Sequence, residues 1–154
     1  MPDQLPIKVI SDNRQARYLY EIIDTYEAGI QLTGTEVKSI RMGRINLRDG
    51  YALIRNGEAW LINAHISPYQ ASGQYFNHEP RRTRKLLLHR REINKLVGQL
   101  EQKGLTLVPL KVYLKGSLVK VSLGLGKGKK LHDKRETIKR RQDEREMARA
   151  IKRY

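Results

Sequence analysis

A chain of 154 residues without cysteine has room for one domain and a small appendage, and it excludes disulfides and thiolate-bound metal. No apolar run approaches the ~20 residues of a membrane span, and the start Met1-Pro2-Asp3-Gln4-Leu5-Pro6 has no signal-peptide layout, so a cytoplasmic location is expected. The net charge of +15 is segregated, with 8 Lys and Arg against 9 Asp and Glu in residues 1–80, 11 against 2 in residues 81–126 and 12 against 5 in residues 127–154; solubility does not require such a distribution, and a polyanionic partner does.

Lys8-Val9-Ile10 is a short apolar entry, after which Ser11 or Asp12 would cap a short helix that places Arg14 and Arg17 on one face. Tyr20 to Tyr26 is rich in β-branched and aromatic residues and predicts a strand. Glu27-Ala28-Gly29 then reads as a break, and Ile30-Gln31-Leu32 restarts the alternation. Gly34-Thr35 opens a helical turn over residues 36–41, closed by Gly43, with Val37 and Ile40 facing inward. Ala52 to Ile62 is a hairpin about Asn56-Gly57, two residues that tolerate positive φ. Residues 67–80 have loop composition with three aromatics and predict a mobile excursion.

The strongest helical pattern covers residues 90–103, where Ile93, Leu96, Val97 and Leu100 form one stripe against a core. His89 or its neighbour must cap it, with Glu92 in the first turn and Gly104 as the stop. Leu105 to Leu114 and Leu118 to Leu125 predict paired strands around Lys115-Gly116-Ser117, with Pro109 favouring an edge or a strand start. About six strands and three short helices predict a mainly β fold, a small antiparallel β-barrel of oligonucleotide-binding type over residues 1–126 with the long helix plugging one end. Gly124, Gly126 and Gly128 read as a loose joint to a basic tail over residues 127–154, whose few apolar side chains predict disorder when free and helix on a partner.

Enzymatic motifs are missing. The alternating glycines have neither dinucleotide nor P-loop spacing, the four histidines show no metal spacing, and no serine sits in a nucleophile elbow. A binding protein without cofactor or metal is therefore expected, as a monomer and not an enzyme. Residues 81–91 hold six cations and no acid beside Leu86-Leu87-Leu88; strand neighbours face opposite sides, so some of these residues are read as core and others as meeting RNA, the cations, Arg84 and Lys85 among them, on phosphates and an exposed leucine or His89 on bases. Glu27 is either a solvated acid near a strand end or an acceptor for the amino group of a base edge. The alternatives are a generic basic ribosomal protein and an adaptor on anionic membranes, of which the first has no use for a jointed tail and the second none for the basic strand.

Asn13-Arg14-x-Ala16-Arg17, Tyr26-Glu27-Ala28-Gly29, Gly34-x-Glu36-Val37-Lys38-Ser39, Arg82-x-Arg84-Lys85-Leu86-Leu87-Leu88 and the run from Gly126 to Arg135 together resemble the small protein B, or SsrA-binding, family. The resemblance covers nearly the whole chain in order. It implies a partner in transfer-messenger RNA and a role with it in trans-translation on stalled ribosomes, without membrane or small-molecule substrate. It further implies that Asn13, Glu27, Leu87 and His89 contact the tRNA-like domain, with Arg14, Arg17, Arg84 and Lys85 as neighbouring cations. Gly128, Lys129, Lys130, His132, Asp133, Lys134 and Arg135 would work in the ribosomal decoding centre, the tail lying in the empty messenger channel.

Overall fold

The computed structural model describes residues 5–73, 76–102 and 104–129, so the tail helix and the positions Lys130, His132, Asp133, Lys134 and Arg135 lie outside the described residues. In chain order the elements are β1 (Ile7–Asp12), α1 (Arg14–Leu19), β2 (Tyr20–Ile30), α2 (Gly34–Arg41), β3 (Ile45–Asn46), β4 (Tyr51–Arg55), β5 (Glu58–Ile62), β6 (His65–Ile66), β7 (Arg84–Leu87), α3 (Arg90–Leu100), β8 (Leu105–Lys115) and β9 (Leu118–Gly128). Strands pair in the order β8-β4-β5-β7-β2-β9, and β9 returns to β8, which closes a six-stranded antiparallel barrel. Closure removes sheet edges, and β1 is added on the outside of the ring by pairing with β8. This is the small barrel of oligonucleotide-binding type that the sequence predicts.

The core is built from the inward residues of the barrel strands, among them Ala28, Leu61, Leu86, Leu107, Val121, Leu123 and Leu125, with Leu96 of α3 fully buried among them. α3 is tied across the barrel by the Tyr26 hydroxyl, 2.9 Å from Gln99 Oε1. Its stripe is narrower than expected, because Val97 is exposed while Ile93 and Leu96 are buried. A second, smaller cluster of Ala16, Val108 and Leu110, with Tyr20 and Ile22, seats α1 on the outer side of β8. The Asn-Gly hairpin is present with φ of 53° and 73° at Asn56 and Gly57.

Several expectations are corrected by strand pairing. Residues 27–29 are no break: β2 runs unbroken through them, since Glu27, Ala28 and Gly29 pair with Ser122, Val121 and Lys120, and Gly29 also pairs with Leu87. Pro109 lies inside a strand flanked by β1 and β9, at a bulge between Pro109 and Lys111 and beyond the last β1 pair at Asp12 and Lys111, so its missing N–H interrupts no ladder. The residue preceding α1 is Asn13 rather than Ser11 or Asp12, and it makes no side-chain cap. The segment 67–80 is fastened rather than loose at its described positions: Asn77 Nδ2 donates to the carbonyls of Tyr69 and Gly73, and His78 bridges Ile66 O at 2.9 Å and Thr35 Oγ1 at 2.8 Å.

The glycine joint is likewise part of the barrel. Gly124, Gly126 and Gly128 belong to β9, opposite Thr25, Ile22 and Tyr20, so the sheet extends two residues into the segment read as tail. A Cβ on Gly126 would stand 2.9 Å from Tyr20 Cβ, and one on Gly124 would stand 2.8 Å from Leu110 Cδ1. Gly124 and Gly126 let Leu110 of β8 and the start of β2 pack closely onto β9.

A buried charge cluster locks α2 to β7. Glu36 and Arg84 are each fully buried, an arrangement that is tolerable only when the charges are paired and their remaining groups bonded. Arg84 Nε donates to Glu36 Oε2 at 2.5 Å and Arg82 Nη2 to Oε1 at 2.7 Å, while the Thr33 N–H at 2.8 Å makes the same carboxylate half of a capping box. The rest of the Arg84 guanidinium donates to the carbonyls of Ala64, Glu79 and Pro80. Burial pushes the Glu36 carboxyl upward, but the bonds from Arg82, Thr33 and Arg84 outweigh it and hold the group below its ordinary value.

Gly126→Ala lowers unfolding stability by roughly 1–3 kcal/mol in urea titrations through overpacking, whereas Gly98→Ala, on the open face of α3, raises it by up to ~1 kcal/mol. Because the folded Glu36 value is depressed, its contribution is complete above the ordinary carboxylate range and is lost as pH falls through the folded value. Glu36→Gln is therefore less stable than wild type at pH 7, and Glu36→Ala, which leaves Arg84 buried and unpaired, loses about 3–5 kcal/mol. Urea titrations at pH 7 and at pH 3 measure both, and the stability gap between wild type and Glu36→Gln narrows at the lower pH.

Candidate nucleic-acid interface

The outward residues of five neighbouring strands form one strip. Cross-strand pairing sets Val9, Tyr113, Lys120, Gly29 and Leu87 side by side from β1 through β8, β9 and β2 to β7. The adjacent row holds Lys111, Ser122 and Glu27. Lys115 and Leu118, paired across the β8–β9 turn, extend the strip on its other side. Alternation along each strand produces this: Ala28 faces the core while Glu27 and Gly29 face out, and Leu86 is buried while Leu87 is 46% exposed.

Glu27 stands within the strip, inside β2 rather than at a break that ends it. Its side chain leans across β9 to β8, where the Tyr113 hydroxyl donates to Oε2 at 2.5 Å and Lys115 Nζ lies 3.3 Å from Oε1. The Tyr113 hydrogen bond lowers the Glu27 carboxyl below its ordinary range; partial burial opposes this, and Lys115 and Lys120 add to the lowering. Burial foremost, and then the neighbouring Glu27, push the Tyr113 phenol well above its ordinary value, so it remains a donor. Lys111 Nζ sits 5.5 Å from the Tyr113 ring centroid. The arrangement is one ionised acid with free acceptor capacity inside a field of lysines. Such a field attracts phosphate, and the acid repels phosphate while accepting N–H donors.

Beside Glu27 a shallow hollow opens, bounded by Gly29, Val37, Leu87, Leu118 and Lys120. The absence of a side chain at position 29 makes it, because a Cβ there would lie 3.3 Å from Leu87 Cβ. His89, separated from β7 by Leu88 alone, is the N-cap of α3, its backbone N–H held by Glu92 Oε1 at 3.0 Å. The structure therefore brings Glu27 and Leu87 together on one strip, with exposed His89 at its margin.

Other expected contacts lie elsewhere. Arg84 does not present a cation to solvent: its place in β7 points it inward, onto Glu36, so it is structural. Asn13 is also corrected, since it is buried and its amide donates to the Pro109 carbonyl at 2.9 Å, fastening the start of α1 to the β8 bulge. Lys85 faces out but pairs with Glu58 at 3.5 Å. Arg14 and Arg17 lie on α1, Arg17 in an ion pair with Asp12. They share the opposite end of β2 with Gly128, which pairs with Tyr20, and with Lys129, whose backbone N–H bonds Leu19 O at 3.1 Å and whose ammonium lies 5.5 Å from the Tyr18 ring centroid. Nine residues of strand, about 30 Å, separate the two ends.

Sequence reasoning missed Tyr113, Lys115, Lys120 and Lys111. The spacing Lys111-x-Tyr113-x-Lys115 in a segment already read as a strand places all three on one face, which is the signal that was available. Nothing local connects them to Glu27, 86 residues away from Tyr113.

Comparison with known proteins matches this arrangement to a family. The family described as SmpB protein matches residues 10–153. The SsrA-binding protein of Gloeothece citriformis is 82% identical over 147 residues, covering 96% of this chain and 95% of that protein. Its counterpart in Synechococcus elongatus is 69% identical over 153 residues, covering 99% of each. A solved structure described as "tmRNA-SmpB: a journey to the center of the bacterial ribosome" contains a chain 53% identical to this one, with a TM-score of 0.66, that covers 79% of this chain and 85% of its own.

Proposed function

The chain belongs to the SmpB protein family, and from that premise we propose that it binds transfer-messenger RNA at its tRNA-like domain and delivers it to stalled bacterial ribosomes for trans-translation. It does so in the cytoplasm, as a monomeric binding factor rather than a catalyst. The observation that carries this reading is the strip around Glu27, where a single carboxylate with spare acceptor capacity lies among Lys111, Lys115 and Lys120 and beside the hollow at Leu87. Lysines contribute the sequence-independent grip on phosphates, and the carboxylate contributes a base-edge contact that phosphate cannot replace. His89 and Leu87 extend the contact toward α3, and Arg14 and Arg17 add charge at the far end of the barrel.

The chain leaves the barrel beside α1, at Gly128 and Lys129. In this reading Gly128, Lys129, Lys130, His132, Asp133, Lys134 and Arg135 act in the decoding centre and the remaining tail lies in the vacated messenger channel. A cationic, helix-competent segment suits an RNA-walled channel, and an occupying message excludes it by volume and charge. The protein thereby stands in for the codon–anticodon pairing that its RNA partner lacks.

Binding tests separate the two halves of this reading. Glu27→Ala weakens transfer-messenger RNA binding by ~1–3 kcal/mol in equilibrium titrations, the scale of one base-edge contact, and an unchanged dissociation constant removes Glu27 from the interface. Truncation before Leu131 changes that affinity by less than about tenfold, or ~1.4 kcal/mol, yet abolishes peptide tagging on stalled ribosomes. A larger loss of affinity overturns the division of labour between barrel and tail.

A further inference from the structure

We propose that Tyr113 is a positioning residue for RNA recognition: its hydroxyl fixes the Glu27 carboxylate in one orientation on the barrel surface, leaving the remaining lone pairs of that carboxylate aimed at the amino edge of a base. The inference rests on the reading that Glu27 contacts RNA. An unrestrained glutamate on a strand surface samples many rotamers, and ordering it upon binding costs affinity. Here the ordering is done in advance by a group that is itself rigid. Tyr113 is 5% exposed, lies beside Val9 of β1 and Lys120 of β9 in the sheet, and has the Lys111 ammonium 5.5 Å from its ring centroid.

The two partners of Glu27 differ in kind. Tyr113 reaches Oε2 at 2.5 Å from a buried ring that cannot turn away. Lys115 reaches Oε1 at 3.3 Å and Oε2 at 3.5 Å from a flexible stem with 21% of its side chain exposed. A lysine in that position is able to leave the carboxylate for an incoming phosphate, which frees an acceptor as the RNA arrives. A phenol held well above its ordinary value stays protonated and never becomes an acceptor itself. The carboxylate offers about four lone-pair sites, so acceptor capacity remains after Tyr113 and Lys115 are counted.

The titratable and charged groups around Glu27 among the described residues are Lys111, Tyr113 and Lys115 from β8 and Lys120 from β9, of which Tyr113, Lys115 and Lys120 lower its carboxyl, with Ser122 directly opposite. Val9 on β1 and Leu87 on β7 are the neighbouring outward residues of the strip and carry no charge. Removing the Tyr113 hydroxyl therefore lets the Glu27 carboxyl rise toward its ordinary range. Protonation removes the charge and turns one carboxylate oxygen from acceptor to donor, so binding weakens as pH falls through the Glu27 value, and in the variant this begins at higher pH.

The test uses the full-length protein and labelled transfer-messenger RNA. Tyr113→Phe, Glu27→Gln and the double variant are compared in dissociation constant, in salt slope and in binding from pH 3.5 to 8, with urea titration to show that each is folded. For Tyr113→Phe the expected results are an affinity loss of about three- to tenfold at neutral pH, an unchanged salt slope because no phosphate contact is removed, and an acid limb displaced upward. In the Glu27→Gln background the further loss disappears. Tyr113→Phe binding like wild type with the same acid limb overturns the positioning role while leaving Glu27 in the interface, as does an equal loss with and without the Glu27 carboxylate. Glu27→Ala without effect on affinity instead removes the premise itself.

Discussion

Glu36 and Arg84 are 48 positions apart in sequence and share one buried ion pair, and the orientation of the barrel's outward strip depends on it. Neither charge is tolerable alone in an apolar interior, so each requires the other and a full set of hydrogen bonds. The carboxylate serves three neighbours at once, through Arg84, Arg82 and the Thr33 N–H. The guanidinium also holds the carbonyls of Ala64, Glu79 and Pro80, which pins the long connection between β6 and β7. With α2, that connection and β7 joined at one point, the register of β7 has little freedom. A slip of one residue would turn Leu86 outward and Leu87 inward.

From that constraint the surface follows. β7 in register places Leu87 against Gly29 of β2, and the missing Gly29 side chain opens the hollow beside Glu27. β2 pairs on its other side with β9, whose outward Lys120 and Ser122 separate Glu27 from Tyr113 and Lys115 of β8. Barrel closure thus gathers one acid, several lysines, a phenol and an exposed leucine from segments scattered over 90 residues. The chemical value of the acid comes from this company: alone it would be a solvated carboxylate, and among lysines it is a fixed acceptor in a field that draws phosphate.

The glycines of β9 show how one residue type carries opposite meanings. Read locally, Gly124, Gly126 and Gly128 are a loose joint, because nothing near them in sequence needs a bare backbone. In the fold Gly124 lies under Leu110 and Gly126 under Tyr20, and small size rather than freedom is what those two positions demand. Pro109 teaches the same lesson. Its missing N–H would spoil a regular central ladder, but a bulge in β8 and the end of β1 remove the donor requirement there.

What the chain determined by itself is whatever depends on near neighbours. The Asn56-Gly57 turn, the buried stripe of Ile93 and Leu96, the inward Val121, Leu123 and Leu125 of β9 and the segregation of charge were all legible, because turn geometry, helical period, strand period and net charge are local or additive properties, whereas nine strands form among the described residues rather than about six. Tertiary structure decided which cations are free and which are structural. Arg84 and Lys85 are adjacent in a basic run, yet one is sealed against Glu36 and the other faces out. It likewise decided that Glu27 has Tyr113 for a partner. Both outcomes are contacts between residues dozens of positions apart, created by strand pairing around a closed barrel, and no property of a short stretch of sequence records which distant strand will lie beside it.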